Sequence, residues 1–218
     1  MHFLAHYYTE LPANNPLFVA ALAIPDLTPR FTKIYNSILV KQAKPKDENL
    51  QQIHNGIVQH FKGDKWFHNS PLFKQQMTNA IQHFIEAGLS RNKLRLSVIA
   101  HIAVEMMIDR QIMLNNETIC TQYYSLLENA DENILTSYFN LFVLETEKKD
   151  FLRSFKFYKQ KRFLFLFNEL ENIVFGLDKV YGSVTKTAFT ATEKEKFLAA
   201  LHNIDNEMRY SWQEILNQ

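Results

Sequence analysis

A chain of 218 residues with 46% hydrophobic content can bury a substantial core, and its formal net charge of +1 leaves no charged bulk for gripping polyanions. Its one cysteine, Cys120, excludes an internal disulfide and fits a reducing compartment. No apolar run reaches the roughly 18 residues of a membrane span, and the opening Met1 to His6 lacks the features of a secretion signal, so a soluble, cytoplasmic protein is expected.

Five glycines and six prolines are few breakers for this length, which favours helices. Asn15 before Pro16 opens a short apolar helix that Pro25 ends. Thr28 with Pro29 opens another, running to about Gln42, and Ala43 to Glu48 reads as a linker. A long helix follows from about Asn49 to Lys62, weakened near its end by Gly63. Ser70 with Pro71 starts the next, and Gly88 closes it. Ser90 is expected to cap the helix running from Leu94 to Leu114. Further helical patterns run from about Glu117 to Ala130 and from Asp131 to Gln160. The run Arg162 to Phe167 fits either a buried helix or a short strand. Thr192 with Glu195 forms a capping-box pattern before a last helix to about Leu216. The reading is all-α: residues 1–218 as a single helical domain, arranged as a bundle.

Inside the apolar helix Leu94 to Leu114 runs a polar file, Ser97, His101, Glu105 and Asp109, each four residues from the next and so on one side. An imidazole and two carboxylates in an interior are costly unless they meet a cation or each other. His60, Asp64 and His68 repeat the spacing, and share a face if their helix continues past Gly63. His6 follows the apolar Phe3-Leu4-Ala5, and Asp26 ends an apolar helix. Imidazole with carboxylate is a donor mix for zinc, manganese or iron. Each residue also has a plainer reading. His6 fits a hydrogen-bonded core histidine, His60 with Asp64 a surface pair, the file a narrow solvent stripe and Asp26 a turn residue.

The same residues resemble a known family. The start His2-Phe3-Leu4-Ala5-His6 is similar to the Asn-Phe-Leu-Ala-His that opens the acyl carrier protein phosphodiesterases, a divergent branch of the HD-domain metal phosphohydrolases. Ile24-Pro25-Asp26-Leu27 resembles that family's Leu-Ala-Asp-Phe, and Gly56-Ile57-Val58-Gln59-His60-Phe61-Lys62-Gly63-Asp64 its Gly-Ile-x-x-His-Arg-x-Ile-Asp. Phe67-His68 falls where the family has Thr-Asp, and His101 to Ile108 where it has Asp-x-x-x-Asp-His-Phe-Leu. The likeness covers roughly the first 115 residues; residues 116–218 show helical character only. Phe61 replaces an arginine and Met106 a histidine, while His68, His101 and Glu105 replace aspartates and keep ligand-capable chemistry.

The resemblance implies an HD-domain-like bundle and a metal-dependent phosphoester hydrolase in which a metal-activated water attacks a phosphodiester. It implies one or two divalent ions (Mn, Fe or Zn) on His6, Asp26, His60, Asp64, His101 and Glu105, with His68 as ligand or supporting partner. Asp64 or Asp109 would act as general base, and Lys62, Lys65 and Arg110 would meet the substrate phosphate. The alternative is a non-catalytic helical binding module with a structural metal site or a buried polar network. Between Lys148 and Arg162 basic residues interleave with Phe151, Phe155, Phe157 and Tyr158. Arg153 and Lys156 there either line a solvated face or dock a partner, for which an acidic carrier protein suits the resemblance. No membrane partner is expected, and nucleic acid is disfavoured by the balanced charge.

Overall fold

The computed structural model describes residues 1–28, Tyr35 and residues 41–216, and among them every regular element is a helix and none a strand. The chain begins with three short helices, α1 (Phe3–Thr9), α2 (Pro16–Leu22) and α3 (Ile24–Leu27). Asn15 caps α2 by accepting from the backbone N–H groups of Leu17 and Phe18, as its pairing with Pro16 leads one to expect. Pro25 does more than end that helix, because it sits in the first turn of α3, where its missing N–H is not needed. The helix expected from Thr28 to about Gln42 lies almost wholly outside the described residues.

Residue Asp47 caps α4 (Glu48–Asn69), which runs straight through Gly63 instead of stopping near Lys62. A glycine costs a helix about 1 kcal/mol relative to alanine. Burial of Ile53, Ile57, His60 and Phe67 along α4 outweighs that. Ser70 Oγ then accepts from Phe73 N–H to open α5 (Pro71–Glu86), and Gly88, at φ 83°, closes it in the left-handed conformation. Ser90 caps no helix: its carbonyl closes a turn onto Lys93 and Leu94, and α6 (Leu96–Asn115) starts later, without a side-chain cap.

Helix α7 (Ile119–Asn129) agrees with the pattern, but the stretch from Asp131 to Gln160 is two helices, α8 (Glu132–Asn140) and α9 (Glu145–Lys161). They part at Val143, whose φ of 57° is one that a β-branched residue rarely adopts. Phe163–Asn168 is neither helix nor strand of the usual kind but a 3₁₀ turn that buries Leu164 and Phe167. It leads to α10 (Leu170–Thr185) and α11 (Ala191–Leu216). The capping box of α11 is Thr190 with Glu193, not Thr192 with Glu195: Glu193 Oε2 accepts from Thr190 N–H at 2.8 Å and Thr190 Oγ1 from Glu193 N–H at 3.2 Å.

The chain forms two compact units. One comprises Met1–Ala5, Trp66–Glu117 and Leu164–Gln218, the other His6–Lys65 and Thr118–Phe163. In the first, α6 is the central helix, packed by α5, α10 and α11. That is why it is apolar on nearly every face, with Ile99, Val104, Met107, Ile108 and Ile112 all fully enclosed. In the second, α2 packs on α7, and α9 packs on α3, α7 and α8. Its core is aromatic: the Phe151 ring stacks on Phe139 and Phe155, beside buried Tyr123, Tyr124 and Tyr158. Among the described residues no helix is long and apolar enough to cross a membrane.

Candidate metal centre

Four of the residues singled out from the sequence meet inside the second unit. Gly56 makes the meeting possible. A Cβ at that position would lie 2.4 Å from the Phe18 carbonyl oxygen and 2.8 Å from the Ala21 Cβ, so α2 can approach α4 this closely only over a glycine. One helical turn on, His60 Nδ1 stands 2.8 Å from the Leu22 carbonyl oxygen at the end of α2. A carbonyl only accepts, so Nδ1 carries the ring hydrogen and Nε2 is the atom turned to the site.

Around that Nε2 lie Asp64 Oδ2 at 3.4 Å, from the next turn of α4, and Asp26 Oδ1 at 3.8 Å, from α3. His6, from α1, stacks its ring on His60 at 4.0 Å between centroids and brings Nε2 to 3.2 Å from Asp64 Oδ1. That approach misses hydrogen-bond geometry, so His6 Nε2 is a buried polar atom with no hydrogen-bond partner. One donor atom each from His6, Asp26 and His60 falls within a 4.8 Å span, the size of a single ion's coordination sphere.

The electrostatics follow from burial and crowding. Burial, together with the neighbouring His60, pushes the His6 imidazole down to about 3, so it is neutral near pH 7 with a lone pair to offer. Burial also lowers the proton affinity of His60, but Asp26 and then Asp64 more than reverse this, and its pKa rises above the ordinary 6.5. Burial pushes the Asp64 carboxyl up, and the facing His6 and His60 outweigh it, holding the group well below the usual carboxylate range. The cluster sets two carboxylates against two imidazoles. A divalent ion would match the charge of the two carboxylates. The residues therefore fit a divalent metal in donor type, span and charge.

The remaining expected ligands fall in the first unit. His68 at the end of α4 and His101 of α6 both reach Glu105 Oε1, at 2.9 and 3.1 Å, and the three form a second group with donors inside 4.8 Å. The Met1 amino nitrogen stands 3.1 Å from the same oxygen. Burial raises the Glu105 carboxyl, and the Met1 amine, His101 and His68 together pull it well below its ordinary value.

Two expected roles are corrected. Asp109 is not a water-facing base: it is fully buried, accepts from Leu4 and Ala5 N–H at 3.2 and 2.8 Å, and pairs with His2 Nδ1 at 2.5 Å. It anchors the N-terminal strap. Arg110 does not face a phosphate either. Its Nε meets Asp205 at 3.0 Å and its Nη1 donates to the carbonyls of Phe167 and Asn168. The polar file of α6 thus runs from exposed Ser97 through half-buried His101 and Glu105 to enclosed Asp109.

Lys62 and Lys65 lie exposed on α4. Phe61, where the resembling family has arginine, stacks on Tyr35 at 3.8 Å, and Met106, where it has histidine, is buried core. On α9, Phe151, Phe155 and Tyr158 face inward and Phe157 is exposed, while Arg153 pairs with Asp150 at 3.0 Å and Lys156 with Glu132 at 3.4 Å. The glycine at 56 and the carbonyl at Leu22 are the functional parts that residue-type reasoning missed. Only the position of Gly56 one turn before His60 signals the first, and nothing in the sequence signals the second. Compared with known proteins, the chain matches no family model, no curated protein and no solved structure.

Proposed function

We propose that this protein is a metal-dependent phosphoester hydrolase whose centre is His6, Asp26, His60 and Asp64. The observation that carries the reading is His60. Its Nδ1–H is held by a main-chain carbonyl, which presents Nε2 to two carboxylates and to the orphaned Nε2 of His6. Fixing the second ring nitrogen in this way is what metal-binding histidines do. The mixed imidazole and carboxylate donors suit manganese, iron or zinc.

A divalent ion held there supplies Lewis acidity, acidifying water and offsetting charge on a phosphate. The chain's own contribution is orientation and proton handling. His6 and His60 hold the cluster's lone pairs in place, and Asp64, about a quarter exposed, is the carboxylate positioned to take a proton from water. Lys62 and Lys65 are exposed on the same helix and would meet the substrate phosphate. Likeness to the acyl carrier protein phosphodiesterases, an HD-domain-like topology and a cytoplasmic site of action belong to the same proposal. So does a small or carrier-borne phosphodiester as substrate, with an acidic carrier docking at Arg153 and Lys156.

A second reading is a non-catalytic module in which the cluster is only a structural network. It is favoured by the commitment of Arg110 to Asp205 and to two carbonyls. The two readings separate on untagged protein purified without chelator. About one equivalent of metal, with manganese- or zinc-dependent hydrolysis of bis(4-nitrophenyl) phosphate lost in His60→Ala, supports the hydrolase. Protein that holds and accepts no metal leaves the network.

A further inference from the structure

We propose a second and separate metal centre within the first unit, formed by His68 Nε2, His101 Nε2 and Glu105, which holds a borderline transition metal such as zinc or iron(II) with open coordination positions. Its three side chains are among the ligands that the resemblance implies, but they form a group apart from His6, Asp26 and His60, and the inference does not rest on the centre proposed above.

Two of the three donor separations are close to the edges of a coordination polyhedron, and the Met1 amino nitrogen stands 3.1 Å from the shared Glu105 oxygen. Ligands bound to one ion at about 2.1 Å stand about 3.0–3.4 Å apart when neighbouring in octahedral or tetrahedral arrangement. Glu105 Oε1 is 2.9 Å from His68 Nε2 and 3.1 Å from His101 Nε2. The rings are 4.7 Å apart between centroids, and one donor from each of the three residues fits inside 4.8 Å. Two imidazoles and one carboxylate on one side of an ion is a facial arrangement that leaves the other side for water or substrate.

The surroundings hold the donors still. The Phe73 ring lies 5.3 Å from both imidazoles, edge-on to His101, and is itself buried against Phe67 at 4.4 Å. Ser70 fixes that ring by capping α5 at the Phe73 N–H. His101 and Glu105 stand one turn apart on the rigid central helix of the unit. Exposure separates this centre from a closed structural site: His68 and His101 side chains are 33% and 37% exposed, while Glu105 behind them is 13% exposed. Beside His101 opens a shallow cleft of 350 Å³ lined by Met77, Ser97, Val98 and Ile102, mostly apolar. A ligand completing the coordination would be a small molecule with an anionic or carbonyl oxygen for the metal and an apolar body for the cleft. Two nitrogen donors with one oxygen favour zinc or iron(II) over magnesium or calcium, which prefer oxygen alone.

The test is zinc stoichiometry on chelator-treated, untagged, full-length protein, read by titration calorimetry and by mass spectrometry under native conditions. His68→Ala, His101→Ala and Asp64→Ala are compared, with folding checked by circular dichroism. If both centres exist, wild type takes two zinc ions, each single variant takes one, and Asp64→Ala with His101→Ala takes none. Wild type taking one ion that only the His68 and His101 variants lose supports this centre and removes the hydrolase one. Zinc uptake unchanged in both His68→Ala and His101→Ala overturns this centre whatever Asp64→Ala does. Since both histidines are partly exposed, neither truncation opens a cavity in the core.

Discussion

Asp109 and His6 are both enclosed, yet their surroundings differ in kind. Asp109 receives two backbone N–H groups and the His2 ring, and its neighbour Arg110 is matched by Asp205 and two carbonyls. Every strong donor or acceptor there is answered by the protein itself. His6 Nε2, by contrast, sits beside a carboxylate without forming a hydrogen bond, in a cluster of two imidazoles and two carboxylates. A satisfied network is a fastening, and an unsatisfied one of ligand-type atoms is what a receptor for a metal requires. Both were polar residues at helical spacing in the sequence, and what distinguishes them is the company that folding supplies.

The contrast breaks most visibly at the fastening. Asp205→Ala takes the counter-charge from the Arg110 guanidinium, leaving it only the two carbonyls, and leaves Gln111 Nε2, now 2.6 Å from that carboxylate, unanswered. A loss of about 3–5 kcal/mol is expected in urea unfolding, with metal content of the His60 cluster unchanged. A small loss would mean that water reaches the network and that it is no fastening. At the receptor the effect belongs to ligand affinity. His60→Ala should weaken metal binding by about 100-fold or more, roughly 2.7 kcal/mol, in competition with a chelator. Equal metal retention would place the His60 cluster among the fastenings.

Acid sharpens the distinction further. Because the carboxylates raise the His60 pKa, protons compete with metal more strongly there than at an ordinary histidine. Metal should be released as the pH falls through the raised value, and sooner than a free imidazole would predict. A pH titration of bound metal checks this. Unchanged occupancy down to about pH 4 would contradict it.

Gly56→Ala joins the two behaviours. The added methyl must push the Phe18 carbonyl away, at a cost of about 1–3 kcal/mol in stability. By shifting the end of α2 it should also weaken metal binding about tenfold, the lower end of what loss of a supporting hydrogen bond costs. Stability loss without metal loss would disconnect α2 from the site.

The smallest effect is expected at Asp178, a fastening that joins α10 to the start of α11. Its carboxylate accepts from Phe189 N–H at 2.7 Å and meets Lys194 Nζ at 2.7 Å. Burial raises this carboxyl, and Lys194 and the Phe189 N–H outweigh it, so the folded pKa lies below the ordinary 3.8. A depressed carboxylate stabilises above its unfolded pKa, and the gain disappears as pH falls through the folded one. Asp178→Asn should therefore cost about 1–2 kcal/mol at pH 7, and progressively less as the pH falls below the ordinary 3.8. A difference that persists in acid would assign the effect to packing.

Where the sequence speaks through neighbours in the chain, it is legible. Asn15 before Pro16, Ser70 before Pro71 and the glycine at 88 mark helix ends where they occur, because a cap acts within three residues. Gly63 misleads because tertiary burial along α4 decides the helix there, and Thr192 with Glu195 misleads because Thr190 with Glu193 offers the same pattern two residues earlier. The all-α class is readable for a similar reason: a helix as apolar as α6 must be surrounded. The site divides the same way. His6, Asp26, His60 and Asp64 announce themselves as donors by residue type. The roles of Asp109 and Arg110 depend on His2 and Asp205, 107 and 95 residues away, and no local pattern carries such pairings.

The carbonyl that orients His60 belongs to the main chain of Leu22, not to any side chain. Replacement of Leu22 by another apolar residue leaves that oxygen in place, so the orientation survives drift at the very residue that provides it. What inheritance has to guard is a vacancy, the missing side chain at position 56, which lets the helix bearing that oxygen come near. Descendants of this chain would be free to vary position 22 while keeping position 56 constant. Such an asymmetry would be visible among them long before any ligand was altered.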